Sequence, residues 1–146
     1  METYKLLSLK DYPFKTFDKI RYRDTDRQGH VNNAVFSTFI ETGRLEMMYH
    51  PDRNLADDDC FFVIIRIEME MVAEVTWPGR VEIGTGVTRI GNSSIGFAQG
   101  IYQEDRLVAV ATSVIVQMDG HTRKSRPLSD RAKESLKAFF LTINEK

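Results

Sequence analysis

One cysteine in 146 residues leaves no partner for an intrachain disulfide, so Cys60 implies no oxidising compartment. Charge of one sign is equally scarce. Twenty Lys and Arg against 21 Asp and Glu give a formal net charge of −1, without the basic excess of a nucleic-acid-binding domain. No apolar run approaches membrane length, and the chain holds no internal repeat, low-complexity tract or linker. The opening Met1-Glu2-Thr3-Tyr4-Lys5 lacks the charged-then-apolar pattern of a secretory signal, so a cytoplasmic protein is expected. What remains is ordinary globular composition, 42% hydrophobic and 28% charged. The length suits a single domain over residues 1–146 with a sizeable core.

Against that background one run stands out: Arg23-Asp24-Thr25-Asp26-Arg27-Gln28-Gly29-His30-Val31-Asn32-Asn33-Ala34. Two carboxylates, an imidazole and two carboxamides crowd between a strand-like and a helix-like segment. A corner needs only an Asx-rich turn and a glycine. Asn32-Asn33 falls where a helix would start, and unpaired N–H groups there can polarise a carbonyl or hold an anion. A carboxylate a few residues upstream would face whatever they hold. That outlines an acyl-transfer or hydrolysis site.

The hydrophobic periods predict the surrounding architecture. Phe14 to Arg23 alternates partly, with Phe14, Ile20 and Tyr22 on one side, and reads as a first strand. Phe36, Phe39, Ile40, Gly43 and Met47 recur at helical spacing and predict a helix from about Asn33 to Tyr49. Gly43 in its apolar stripe would let another backbone approach closely. Phe61, Val63, Ile65, Ile67, Met69, Met71, Ala73 and Val75 alternate with polar residues further on, predicting a long strand with one buried face and Met69 and Met71 in the core. Trp77-Pro78-Gly79 ends it. Val81–Ile90, Ser94–Tyr102 and Leu107–Met118 follow as strands whose short joints mark antiparallel neighbours. Ser129 can cap a final helix carrying Ala132, Leu136, Phe139 and Phe140. One apolar helix and one long sheet must bury each other's faces, so the expected class is α+β, with the sheet wrapped around the helix.

Asp24 to Phe36, followed by Phe39-Ile40-Glu41-Thr42-Gly43-Arg44, resembles the 4-hydroxybenzoyl-CoA thioesterase-like group of hotdog-fold acyl-CoA thioesterases. The likeness continues through Arg89-Ile90-Gly91-Asn92-Ser93-Ser94 and Arg123 to Leu128. The resemblance implies the hotdog fold, in which a curved antiparallel sheet wraps one long helix and a short C-terminal helix follows. It implies hydrolysis of an acyl-CoA to a carboxylate and free CoA, with no metal and no cofactor. Asp26 occupies the place of the family's nucleophile or general base. Asn33 occupies that of the backbone N–H that polarises the thioester carbonyl. Family members are homodimers or homotetramers with sites at the dimer interface. The His-Val-Asn-Asn form is also similar to the acyl-ACP thioesterase branch, which leaves open whether Asp26 acts alone or with Gln28 and His30.

From the residues alone, the commoner use of such an Asp is a turn or helix cap, and the resemblance moves Asp26 to catalysis. Asp24 reads as structural and Asn32 as the N-cap. His30 suits proton transfer near neutrality, or anchors the loop. Glu41 and Arg44, three apart, would form an intrahelical ion pair. Ser93 and Ser94 are candidates for phosphate or pantetheine, or simply turn residues. Arg89, Arg123, Lys124 and Arg126 are candidates for the CoA phosphates, or solvated surface charge. Asp24, Asp26 and His30 offer metal-ligand chemistry, but no second His-rich element completes a set. A non-catalytic acyl-CoA binder would share this pocket. A hotdog dehydratase would carry a different motif.

Overall fold

The computed structural model describes residues 1–143. After two short 3-10 turns at Thr3–Leu6 and Leu9–Asp11, the chain enters β1 (Phe14–Lys19) and then α1 (Asn33–Met48). A two-stranded hairpin follows, β2 (Tyr49–His50) with β3 (Arg53–Asn54). Next come β4 (Cys60–Met71), β5 (Arg80–Ile90), β6 (Ser94–Gln103) and β7 (Arg106–Asp119), and finally α2 (Asp130–Lys137). The five main strands form one antiparallel sheet in the order β1-β5-β6-β7-β4. The joints after β5 and β6 make neighbours, as expected. Residues 72–79 instead carry the chain from one edge of the sheet to the strand beside the other edge. β1 is shorter than its alternation suggested, because Tyr22–Asp24 turns into a 3-10 helix with the Asp24 carboxylate accepting from Arg21 N at 2.8 Å.

Helix α1 forms where expected and for the expected reasons. The Asn32 carboxamide caps its start, accepting from Ala34 N at 2.9 Å. Phe36, Phe39, Ile40, Gly43 and Met47 are buried along one face. They pack on the concave side of the sheet with Ile83, Ile101, Ala109 and Ala111 at one end and Val87, Phe97 and Ile115 at the other. Thr42 Oγ1 donates to Asp18 at 2.9 Å, and Thr16 donates to Glu46, so one flank of α1 is tied to β1. At Gly43 the approach is made by side chains rather than by a backbone. A Cβ there would lie 2.6 Å from Ile83 Cγ2 and 2.8 Å from Gln99 Nε2. That buried amide donates to the Ile40 carbonyl at 2.9 Å and to Thr85 Oγ1 at 3.0 Å, fastening helix to sheet. Ser129 Oγ caps α2 as expected, accepting from Ala132 N at 3.1 Å, and the helix buries Ala132 and Leu136, but it ends at Lys137, so Phe139 and Phe140 lie beyond it.

Strand β4 ends at Met71, short of the Val75 its alternation suggested, and departs from that reading in two further ways. A bulge at Ile65 shifts the register against β7, with Ile64 opposite Ile115 and Arg66 opposite Val114. The bulge exchanges the faces. Phe62 and Ile64 therefore share the concave face with Ile67, Met69 and Met71, while Phe61 and Val63 point the other way. The second departure is burial. β4 is an edge strand, and Ile64, Ile67 and Met71 are each 43–46% exposed, so Met71 is not core. Met69 does pack against the core. Among the described residues no helix is long and apolar enough to cross a membrane.

Candidate active site

The polar run folds into a tight hairpin at the mouth of α1. Thr25 and Val31 pair as an antiparallel bridge, Asp26 N donates to His30 O at 2.7 Å, and Gly29 N donates to Asp26 O at 3.0 Å. Gly29 adopts a φ of +85°, which lets three residues close the loop, a conformation that favours glycine. Asp24 is buried behind the hairpin, its carboxylate spent on Arg21 N and its carbonyl on Asn32 N at 2.8 Å. It holds the loop, as its structural reading anticipated. Val31 N donates to Val75 O at 2.8 Å and His30 bridges to Thr76, so the segment after β4 pins the hairpin from the other side.

Asp26 presents an asymmetric carboxylate. Oδ1 accepts from Gln28 N at 2.9 Å and His30 N at 3.3 Å, while Oδ2 carries no hydrogen bond among the described residues. The first turn of α1 is similarly divided. Asn32 Oδ1 takes Ala34 N and Asn32 O takes Val35 N at 2.9 Å, and the Asn33 N–H is left without an acceptor among the described residues. The positive end of the α1 dipole reinforces that donor. Asp26 and Asn33 line one cleft of about 390 Å³ with Gln28, His30, Phe36 and Met71. Here a carboxylate oxygen and an unpaired amide share a space walled on one side by apolar groups. Such a space suits attack on a carbonyl whose oxygen the amide holds.

The cleft also contains Glu74, which the sequence reading passed over. Its Oε2 lies 3.1 Å from His30 Nε2. The contact brings Glu74 against the imidazole, and His30 remains part of the cleft wall. Only its place at the end of an alternating apolar run, beside Val75, set Glu74 apart in the sequence. Among the described residues no cluster of His, Cys, Asp and Glu is arranged to hold a metal ion.

The residues considered for CoA lie elsewhere. Ser94 is opposite Val116, itself opposite Val63, whereas the cleft is beside Met71. About eight strand residues separate these levels, roughly 25 Å at the usual rise. Ser93 O accepts from Gln117 N at 2.8 Å, and Gly91 N donates to Ser94 O at 2.8 Å, closing the β5–β6 turn. Arg123 has a φ of +63° and stacks over Phe61 at 5.0 Å. Lys124 O accepts from Asp119 N at 2.8 Å, and Arg89 is on β5 opposite Gly96. Within one chain these groups gather at the far end of the sheet from Asp26.

With this geometry in place, the comparisons with known proteins are specific. A family model described as the thioesterase-like superfamily matches residues 20–137, and the chain belongs to that superfamily. The acyl-CoA thioester hydrolase YbgC of Escherichia coli is 30% identical over 114 residues, 75% of this chain and 85% of the relative. A solved structure of a predicted thioesterase from Bacillus stearothermophilus superposes with a TM-score of 0.79 at 31% identity, covering 87% of this chain and 96% of that one. A thioesterase from Thermus thermophilus, solved with coenzyme A and Zn, gives 0.77 at 26% identity, covering 89% and 96%. The architecture is the hotdog fold of these thioesterases.

Proposed function

We propose that this protein hydrolyses acyl-CoA thioesters. One observation carries the reading: Asp26, with an Oδ2 free of hydrogen bonds among the described residues, and Asn33, with an N–H unpaired among them, line the same partly apolar cleft. Asn33 N–H takes the thioester oxygen, and its hydrogen bond strengthens as negative charge develops there. Asp26 draws a proton from a water that attacks the carbonyl carbon, or itself attacks to form an acyl–Asp26 anhydride that water then hydrolyses. In either route the C–S bond breaks and CoA leaves as the thiolate, which takes up a proton from Asp26 or from water. Gln28 and His30 hold Asp26 through their backbone N–H groups, and Glu74 steadies the His30 ring. The named activity of the YbgC relative supports this substrate class.

The working unit in this reading is a homodimer. Edge strand β4 offers a free backbone edge and an exposed apolar row of Ile64, Ile67 and Met71. Antiparallel pairing with a second β4 across a two-fold axis near its middle covers that row. It also brings the Ser93–Ser94 and Arg123–Lys124 end of the second copy beside the cleft of the first, where the CoA moiety would leave it. The domain spans the chain, and its lone cysteine suits a cytoplasmic location. A thiol-release assay over acyl-CoAs of graded chain length tests the reading. Turnover of at least one member is expected, whereas binding without thiol release would make the protein an acyl-CoA binder.

A further inference from the structure

Arg44 is a charged side chain in the wrong place for a surface helix. It is 7% exposed, and its Nη1 has no hydrogen-bond partner among the described residues. Among those residues it forms no ion pair with Glu41, one turn away. Burial draws its pKa below the usual arginine value, with the Glu41 charge opposing that shift. An uncompensated buried cation is among the costlier features a fold can carry, so an acceptor is missing.

The helix geometry says where that acceptor must arrive. Thr42 and Glu46 face β1, and Gly43 faces Ile83, Thr85 and Gln99. Arg44 therefore lies on the flank that looks toward β7 and β4. It also continues a single stripe, Asn33–Ser37–Ile40–Arg44, at the spacing that keeps residues on one helix face. The stripe begins at the amide proposed to hold the thioester oxygen. Opposite it run Met71, Met69 and Ile67 on the concave face of β4. A second orphan lies further along the same face of the sheet, about one helical turn past Arg44: Ser113 Oγ is buried without a partner among the described residues. Ser113 is opposite both Ile67 and Phe97, and Phe97 packs with Met47 one turn past Arg44.

We infer that Arg44 is the polar far end of the acyl pocket, and that the enzyme takes acyl groups ending in a carboxylate. The inference rests on Asn33 marking the reacting end. Arg44 is about 16 Å along the helix from Asn33, and its side chain leans back toward the N-terminus, leaving about 10 Å between guanidinium and amide. The hydrogen bonds at the two ends, each of about 3 Å, take up part of that gap, and a zig-zag chain advances about 1.25 Å per C–C bond, so a chain of about four to six carbons spans the rest. Its apolar middle meets Met71, Met69 and Ile67, and its terminal carboxylate meets the guanidinium fork.

The test compares kcat/KM for hexanoyl-CoA and for the CoA thioester of hexanedioic acid, whose other carboxyl is free. Wild-type protein is expected to favour the second by about 10- to 100-fold, the worth of a charge-assisted hydrogen bond. Arg44→Met should abolish that preference, bringing the ratio to within about threefold of one. No preference in the wild type, or a preference that survives Arg44→Met, overturns the inference. If Arg44→Met does not fold, Arg44→Lys, which keeps the charge but not the fork, must lower the ratio, and an unchanged ratio is equally fatal. Glu41→Gln should leave the ratio and the dimer intact. Dissociation of the dimer by that change would assign Arg44 to the partner's carboxylate and overturn the inference. If neither thioester is hydrolysed, the thioesterase reading fails, and calorimetric binding of the two decides the pocket separately. The dioic thioester should then bind at least about tenfold more tightly, and equal affinity refutes it.

Discussion

Replacing Gly43 with alanine sets helix propensity against packing, and the structure decides the sign. In an exposed helix the change gains about 1 kcal/mol. At Gly43 the new methyl group would lie 2.6 Å from Ile83 Cγ2, 2.8 Å from Gln99 Nε2 and 2.9 Å from Thr85 Oγ1. Ile83 and Thr85 are wholly buried β5 residues with no room to withdraw. Overpacking of that kind costs about 1–3 kcal/mol. Displacing Gln99 also threatens its bonds to Ile40 O and Thr85 Oγ1, each worth about 1 kcal/mol. Setting these costs against the propensity gain leaves Gly43→Ala destabilised by about 1–3 kcal/mol. Thermal unfolding followed by far-UV circular dichroism, at one protein concentration, should show a Tm lower by roughly 3–10 °C. A Tm equal to or above that of the wild type would show that the helix is not seated on Gln99 as described.

Three further outcomes are expected. Ile67→Glu puts a charge in the exposed concave row of β4, and light scattering should find a dimer for the wild type and monomer for the variant, with thioesterase activity lost in the latter; a dimeric variant with normal activity would move the interface elsewhere. Glu104 and Asp105 form the two-residue β6–β7 turn at φ of +51° and +64°. The double change Glu104→Asn with Asp105→Gly relieves both and should raise urea-measured stability by about 0.5–2 kcal/mol, and a loss would contradict the turn type. Burial disfavours the charge of Asp57, but hydrogen bonds from Ser129 and Gln117 outweigh it and hold the carboxyl below its usual pKa. Its folded value is the depressed one, so its contribution is complete above the ordinary carboxylate range and is lost as pH falls through the folded value. Asp57→Asn should flatten the acid limb of a stability–pH profile, and an unaltered limb would remove Asp57 from that role.

The sequence was most legible where one signal acted alone. Helix α1 could be read because its apolar stripe and its Asn32 cap agree, and β5, β6 and β7 because short joints separate clear alternations. It misled in β4, where residues 61–65 are all apolar and fit either face. Only the pairing with β7 reveals the bulge at Ile65 that exchanges those faces. The exposure of the resulting row could not be read either, since apolar alternation does not say whether its partner is the same chain. At the site, Asp24, Asp26, Asn32 and Asn33 were legible because a local hairpin and cap bring them together. Glu74 was not, since it meets His30 only through the return of the chain after β4. Arg44 read as one half of a surface pair, because helical spacing alone does not distinguish a solvated flank from a buried one.

The central claim is that the Asp26 carboxylate performs the hydrolysis opposite the Asn33 amide. Asp26→Asn keeps the size of the side chain and the oxygen that accepts from Gln28 N and His30 N, but removes the basic carboxylate. Thiol release from the best acyl-CoA substrate, measured for wild type, Asp26→Asn and the buried neighbour Asp24→Asn, tests the claim directly. Asp26→Asn should lower kcat by about a hundredfold or more while acyl-CoA binding and fold persist, with Asp24→Asn much milder. Near-wild-type turnover by Asp26→Asn would contradict the assignment outright.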